Sequence, residues 1–194
     1  MSSEAVPAYH ELVYEHQKGA CSTKFLSNRE FIWELKTGQS LAAKWPDDVT
    51  LQMNPERAKD VALIDYVHNL ESLLVASPAI VAFLERQGLP QLEFLPVGIL
   101  DHKGRVASSE YRIVHCCNVV DCIDQEQSEF EWDGLSTPSM VLERAVLTPA
   151  VLDGDGRLIR PKFVPGKVFY RADLVEAMDA EEFDGVTFLQ DLFE

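Results

Sequence analysis

The alternation of apolar and polar positions predicts many short strands broken by a few short helices. The sharpest local signal is LLVASPAIVAFLERQGLPQLEFLPVGIL, from residue 73 to 100. Residues 73–76 form an unbroken apolar run of strand length. Ser77 is a good N-cap residue, and Pro78 suits the first helical position, where its missing N–H is not needed. Ile80, Phe83, Leu84 and Gln87 recur at helical spacing, the first three apolar, and Gly88 can adopt the left-handed conformation that ends a helix. Residues 92–100 read as a strand again. DHKG (101–104) is a turn, and RVASSEYRIVHCCNVV is the return strand of a hairpin, with its core portion over 111–120.

Elsewhere the pattern is weaker. Residues 1–24 show no clear periodicity and are expected to form a loose N-terminal arm. In SNREFIWELKTG, Ser27 and Glu30 fit a capping box and Gly38 a helix end, while FIWEL alone reads equally well as a strand. A short strand is predicted over 49–53, between turns at Pro46 and Pro55. SMVLERAVLT (139–148) supports either type. LDGDGRLI (152–159) is a Gly/Asp turn between strands. The C-terminal segment predicts a strand over 167–170, a helix over 173–181 and a strand over 185–190. This order of strand, helix and aromatic-bearing strand echoes 73–96, with few identities. The reuse of a common unit explains the echo without duplication. The fold class is therefore α+β: a mixed, mainly antiparallel sheet with hairpins and a few short packed helices. Residues 25–194 are expected to form one domain, with two subdomains meeting near 134–150 as the alternative.

Composition adds one feature. Hydrophobic residues are 46% and charged residues 25%, as in an ordinary globular chain. Seventeen Lys+Arg against 32 Asp+Glu, however, leave a net charge of −15. Such a chain repels phosphate backbones, which argues against nucleic-acid binding, and attracts basic partners. The N-terminus has no secretory pattern, and the apolar run LLVASPAIVAFL is too short to span a bilayer, so a cytoplasmic protein without membrane association is expected. Four cysteines are too few for a disulfide scaffold and are expected as thiols.

Three of those cysteines crowd into EYRIVHCCNVVDCIDQEQSEF (110–130), beside His115. On a strand, Cys116 and Cys117 point to opposite faces, as do His115 and Cys116, and Cys122 lies roughly 20 Å beyond Cys116. No C-x-x-C spacing occurs, so neither a metal centre nor a Cys/His dyad is read here. HELVYEH separates His10 and His16 by six residues, where a metalloprotease helix needs four. DGDGR lacks the later ligands of a calcium loop, GLSTPSM lacks the spacing of a nucleophile elbow, and no Gly-rich phosphate loop is present. No catalytic, metal or cofactor-binding residue is assigned. What remains is charge. Asp121, Asp124, Glu126, Glu129, Glu131 and Asp133 fall within thirteen residues that contain no Lys or Arg, and they are the candidate partner-binding residues.

Larger blocks carry a resemblance. FIWELKTGQSLAAKWPDDVTLQM, the 73–96 block, the Y-x7-V-V-D-x-x-D-x-x-x-S pattern from Tyr111 through Asp121 and Asp124 to Ser128, and the C-terminal GVTF strand together resemble the eleventh-numbered immunity protein family of bacterial polymorphic toxin systems. The likeness spans roughly residues 25–194. It implies a cytoplasmic, non-catalytic protein that binds and occludes a cognate toxin domain encoded by an adjacent gene. The cysteines are outside the pattern. The rival readings are a thiol-dependent enzyme using Cys116, Cys117 or Cys122, and an interaction module without a toxin partner. The sequence leaves homo-oligomerisation open.

Overall fold

The structure is a computed structural model that describes residues 6–134, 138–152 and 154–193. In chain order the elements are β1 (Tyr9–Tyr14), β2 (Ser22–Leu26), α1 (Ile32–Thr37), β3 (Thr50–Met53), β4 (Tyr66–Asn69), β5 (Val75–Ala76), α2 (Pro78–Gln87), β6 (Leu92–Pro96), β7 (Gly98–Leu100), β8 (Val106–Ser108), β9 (Arg112–Cys116), β10 (Val119–Val120), β11 (Glu129–Trp132), β12 (Met140–Arg144), β13 (Leu158–Pro161), β14 (Phe169–Arg171), α3 (Ala172–Asp179) and β15 (Val186–Leu189), with short 3-10 turns between some of them. The class is α+β, with mainly antiparallel pairing.

The larger sheet has the order β6-β9-β5-β4-β2-β3-β7-β8. Its two ends belong to the same long hairpin. The outgoing strand is β6 and β7, bent at Val97, and the return strand is β8 and β9. At one edge β6 pairs antiparallel with β9, and at the other β7 pairs antiparallel with β8. A single hairpin that supplies both edges forces the sheet to curl. Inside the curl Leu26, Leu51, Met53, Val67, Val75, Val97, Ile99 and Ile113 form one core, and Leu35 of α1 packs into it.

A second sheet, β10-β13-β14-β1-β15, packs against the outside of the curl. Ile80, Phe83 and Leu84 of α2 and Leu174, Val175 and Met178 of α3 meet there with Val114, Cys116 and Tyr170. The two strand–helix–strand segments share one architecture. β5 and β6 flank β9, antiparallel to it, just as β14 and β15 flank β1. The echo seen in the sequence is thus a twice-used split β-α-β unit.

Several local expectations hold for the reasons given. The Ser77 hydroxyl accepts a hydrogen bond from the Ile80 amide, and Gly88 ends α2 with φ +62°. Others differ. The expected N-terminal arm carries β1 and β2. Tyr9 is 1% exposed and donates from its hydroxyl to the Gly156 carbonyl at 2.7 Å. β1 lacks an independent sequence signal because its partners, β14 and β15, lie more than 150 residues away, while β2 pairs with β3 and β4. Residues 1–5 of that arm and residues 135–137 of the GLSTPSM segment lie outside the described residues, as does Asp153 of DGDGR. FIWEL is helical and ends at Gly38 as expected, but Ser27 does not cap it: its hydroxyl accepts from the Thr50 amide at 2.9 Å and so ties β2 to β3. The core strand expected over 111–120 breaks after Cys116. Its last part, β10, runs parallel to β13 in the other sheet.

Where the two sheets meet, Arg160 of β13 is 5% exposed. Its Nε donates to the Cys116 carbonyl at 2.9 Å, and Nη1 donates to the carbonyls of Lys36 at 2.8 Å and Lys167 at 3.4 Å. Gly38 packs beside it with φ +75°, and a Cβ there would stand 2.7 Å from Val119 Cγ2 and 2.9 Å from Arg160 Cδ. Arg160→Met should therefore lower folding stability by about 2–4 kcal/mol, because charge-assisted bonds are lost and buried carbonyls are left without donors. Gly38→Ala should also destabilise, through steric contact and the left-handed φ. Urea denaturation should show a lower midpoint with an unchanged slope in both variants.

Candidate functional site

The acidic segment folds as a turn followed by a two-stranded ribbon, β11 paired antiparallel with β12 and, among the described residues, with no other strand. Alternation along the ribbon sorts its side chains. Phe130, Met140 and Leu142 face inward onto a third core cluster with Tyr9, Ile123, Ile159 and Phe169. Glu129, Glu131, Val141 and Glu143 are exposed on the outer side, where Glu131 lies directly across from Val141, itself 60% exposed. Glu143 was not singled out from the sequence. The alternation in SMVLER could have found it, once that segment was read as a strand.

The six candidate acids do not behave alike. Asp124 shapes the turn: its carboxylate accepts from the side chain of Gln127 and from the amides of Glu126 and Gln127, and these bonds hold its carboxyl below the usual range. Asp121 pairs with Lys162 at 2.9 Å and Glu129 with Arg144 at 2.9 Å. Both pairs are exposed, and such pairs contribute little to stability. Asp133 accepts from the Ser139 hydroxyl. Glu126 and Glu131 are exposed, and among the described residues neither they nor Glu143 forms an ion pair. The ribbon's outer side thus keeps an acidic face with an apolar residue at its centre.

The sulfur-bearing stretch divides differently. Cys116 and Cys122 are buried in two different cores, whereas Cys117 is half-buried at the end of β9. Burial pushes the Cys116 thiol up. It also pushes Cys117 and Cys122 up to about 12, helped at Cys117 by the Glu93 carboxylate and at Cys122 by Asp121. A nucleophilic cysteine needs the opposite shift, so the geometry does not favour the thiol-enzyme reading. As parity requires, Cys116 and Cys117 point to opposite faces. Parity also places His115 and Cys117 on the same face, and Glu93 lies directly across from His115 in the β6–β9 register. The ligand atoms of Glu93, His115 and Cys117 lie within 4.8 Å of one another. Sequence reasoning missed this group because one of its members comes from another strand.

The 39–41 segment that follows Gly38 supports the group. The Gln39 carbonyl lies 2.9 Å from His115 Nε2, the Ser40 hydroxyl donates to Glu93 Oε1, and the Leu41 amide donates to Glu93 Oε2 at 2.9 Å. Burial lowers the His115 pKa from its ordinary 6.5. Burial alone would raise the Glu93 carboxyl, but the bonds from Ser40 and Leu41, with His115 alongside, hold it below its ordinary value.

These features define a mixed α+β protein that carries an acidic outward ribbon, with its thiol pKa values raised by burial. No helix among the described residues is long and apolar enough to cross a membrane. The chain belongs to the immunity protein family Imm11, whose family model matches residues 7–190. Membership gives it a toxin-immunity role in general terms. A comparison with curated proteins finds no match.

The buried titratable groups set an alkaline limit. Burial raises Cys21 from 9.0 to about 11, and Tyr9, Tyr66 and Tyr111 from 10.0 to about 12. These raised groups contribute stability that is complete below their unfolded values and is lost as pH climbs toward the folded ones. The urea midpoint should therefore fall between about pH 9 and 12. His115 and His68 are lowered, so they favour the folded state above 6.5 and weaken it as pH falls below that value. A midpoint that is flat across both windows would contradict the burial of these groups.

Proposed function

We propose that this protein is a non-catalytic immunity protein that binds and occludes a cognate bacterial toxin domain in the cytoplasm, the toxin being encoded by the adjacent gene. The observation that carries the docking site is the outer side of the β11–β12 ribbon. It presents Glu131 and Glu143 beside the exposed Val141, with Glu129 paired to Arg144 and Glu126 in the preceding turn. A chain of net charge −15 steers a basic partner from a distance, and these carboxylates add to that field on the outer side of one ribbon. Nearby, Trp132 is 46% exposed and stands edge-on to Phe163 at 5.9 Å. An aromatic pair of this kind can anchor a contact whose rim is charged and so slow dissociation. A toxin that acts on nucleic acid would be basic for its own reasons and would complement this face.

Co-expression with the neighbouring gene product should restore growth and yield a stable one-to-one complex. Continued poor growth with no complex would rule out that pairing. Within the complex, replacing Glu126, Glu129 and Glu131 by Lys should slow association about tenfold or more at low salt and flatten its salt dependence. The same change at Asp179, Glu181 and Glu182, in the last position of α3 and just beyond it, should have a smaller effect. Equal on-rates for the two triple variants, read by stopped-flow mixing, would remove the ribbon from the interface.

A further inference from the structure

We propose that Glu93, His115 and Cys117 form a binding site for a zinc-class divalent cation, with one coordination position left open. Three independent features of the chain converge on this group. The first is backbone register. Glu93 and His115 are direct partners across β6 and β9, and Cys117 lies one side-chain period beyond His115. The Cys117 amide donates to the Gln91 carbonyl at 2.8 Å, which keeps the chain alongside β6 for that extra step.

The second feature is the outer layer. A main-chain carbonyl can only accept, so His115 Nε2 must be the N–H that donates to Gln39, and Nδ1 is left with the lone pair a metal would use. Each Glu93 oxygen accepts one hydrogen bond from the 40–41 segment and keeps further lone-pair capacity. Metal-binding side chains are ordinarily oriented in this way by partners behind them. Here all three partners come from one short segment.

The third feature is ligand chemistry. A thiolate, an imidazole and a carboxylate suit zinc and do not suit magnesium or calcium, which take oxygen ligands. Two anionic ligands would bring the loaded site to zero net charge, one unit more positive than the empty site with its ionised Glu93 and neutral Cys117 thiol. Zinc bonds of about 2.0–2.3 Å require donor atoms about 3.5 Å apart; the donor atoms now lie within 4.8 Å of one another, so binding would draw them together. On binding, the Cys117 S–H bond breaks, its proton passes to solvent, and the sulfur bonds to the metal. Glu93 and Cys117 are only partly buried, so the ion has a route in.

The test uses the full chain without its partner. Cobalt(II) chloride titrated anaerobically into the reduced protein should produce a thiolate-to-cobalt charge-transfer band that saturates at one equivalent. Zinc(II) should bleach that band. Cys117→Ala should abolish it, although Cys21, Cys116 and Cys122 remain. Glu93→Gln, which preserves the shape of the side chain, should keep the fold and weaken cobalt affinity at least tenfold. Zinc should raise the thermal midpoint of the wild-type protein and leave that of Cys117→Ala unchanged. A wild-type spectrum without the band, or an equal band in Cys117→Ala, would overturn the proposal. Neither result bears on toxin binding.

Discussion

Arg160 is a cation removed from water at the junction of both sheets, and much of the architecture is arranged to satisfy it. Its donors reach three carbonyls: one at the end of β9, one in the last turn of α1, and one just before β14. The α1 contact uses the negative end of a helix, where a cation is favoured. A buried guanidinium with an incomplete set of acceptors would destabilise the fold by several kcal/mol. The strand break after Cys116, the glycine at position 38 and the parallel β10–β13 pairing all serve this one requirement. Gly38 is there because any side chain would occupy the space of Arg160 and Val119.

From this junction the molecule extends as two versions of one unit. In each, two parallel strands joined by a helix leave a gap that is filled by an antiparallel strand: β9 in the curled sheet and β1 in the smaller one. The helices α2 and α3 then share a single apolar layer, in which Phe83 meets Phe183 edge-on at 5.7 Å. The N-terminal residues are thereby drawn into the centre of a sheet, although their own sequence carries little that predicts a strand.

The two chemically marked stretches exchange significance in three dimensions. Most of the acids that looked like a uniform cluster are engaged: Asp124 builds a turn, Asp121 and Glu129 pair with cations, and Asp133 receives Ser139. The acidic face comes from Glu126, Glu131 and Glu143. The sulfurs, which look inert along the strand, separate into two buried apolar groups and one that meets Glu93 and His115.

By itself the sequence determined whatever depends on neighbours within a few residues. The Ser77-Pro78 start of α2, the glycine ends of α1 and α2, the turn at Asp101 and the opposite facing of Cys116 and Cys117 all follow from local dihedral preferences, side-chain alternation and apolar content. The α+β class and the family resemblance were legible for the same reason, since both rest on runs of short elements. The tertiary structure decided what depends on register between distant segments: the insertion of β1 between β14 and β15, the curl closed by one bent hairpin, and the placing of Glu93 opposite His115. Strand pairing is set by which faces are buried together, and that information is shared between segments that lie apart in the sequence, more than 150 residues apart for β1 and its partners and 22 for Glu93 and His115. The periodicity of one element alone does not contain both halves of it.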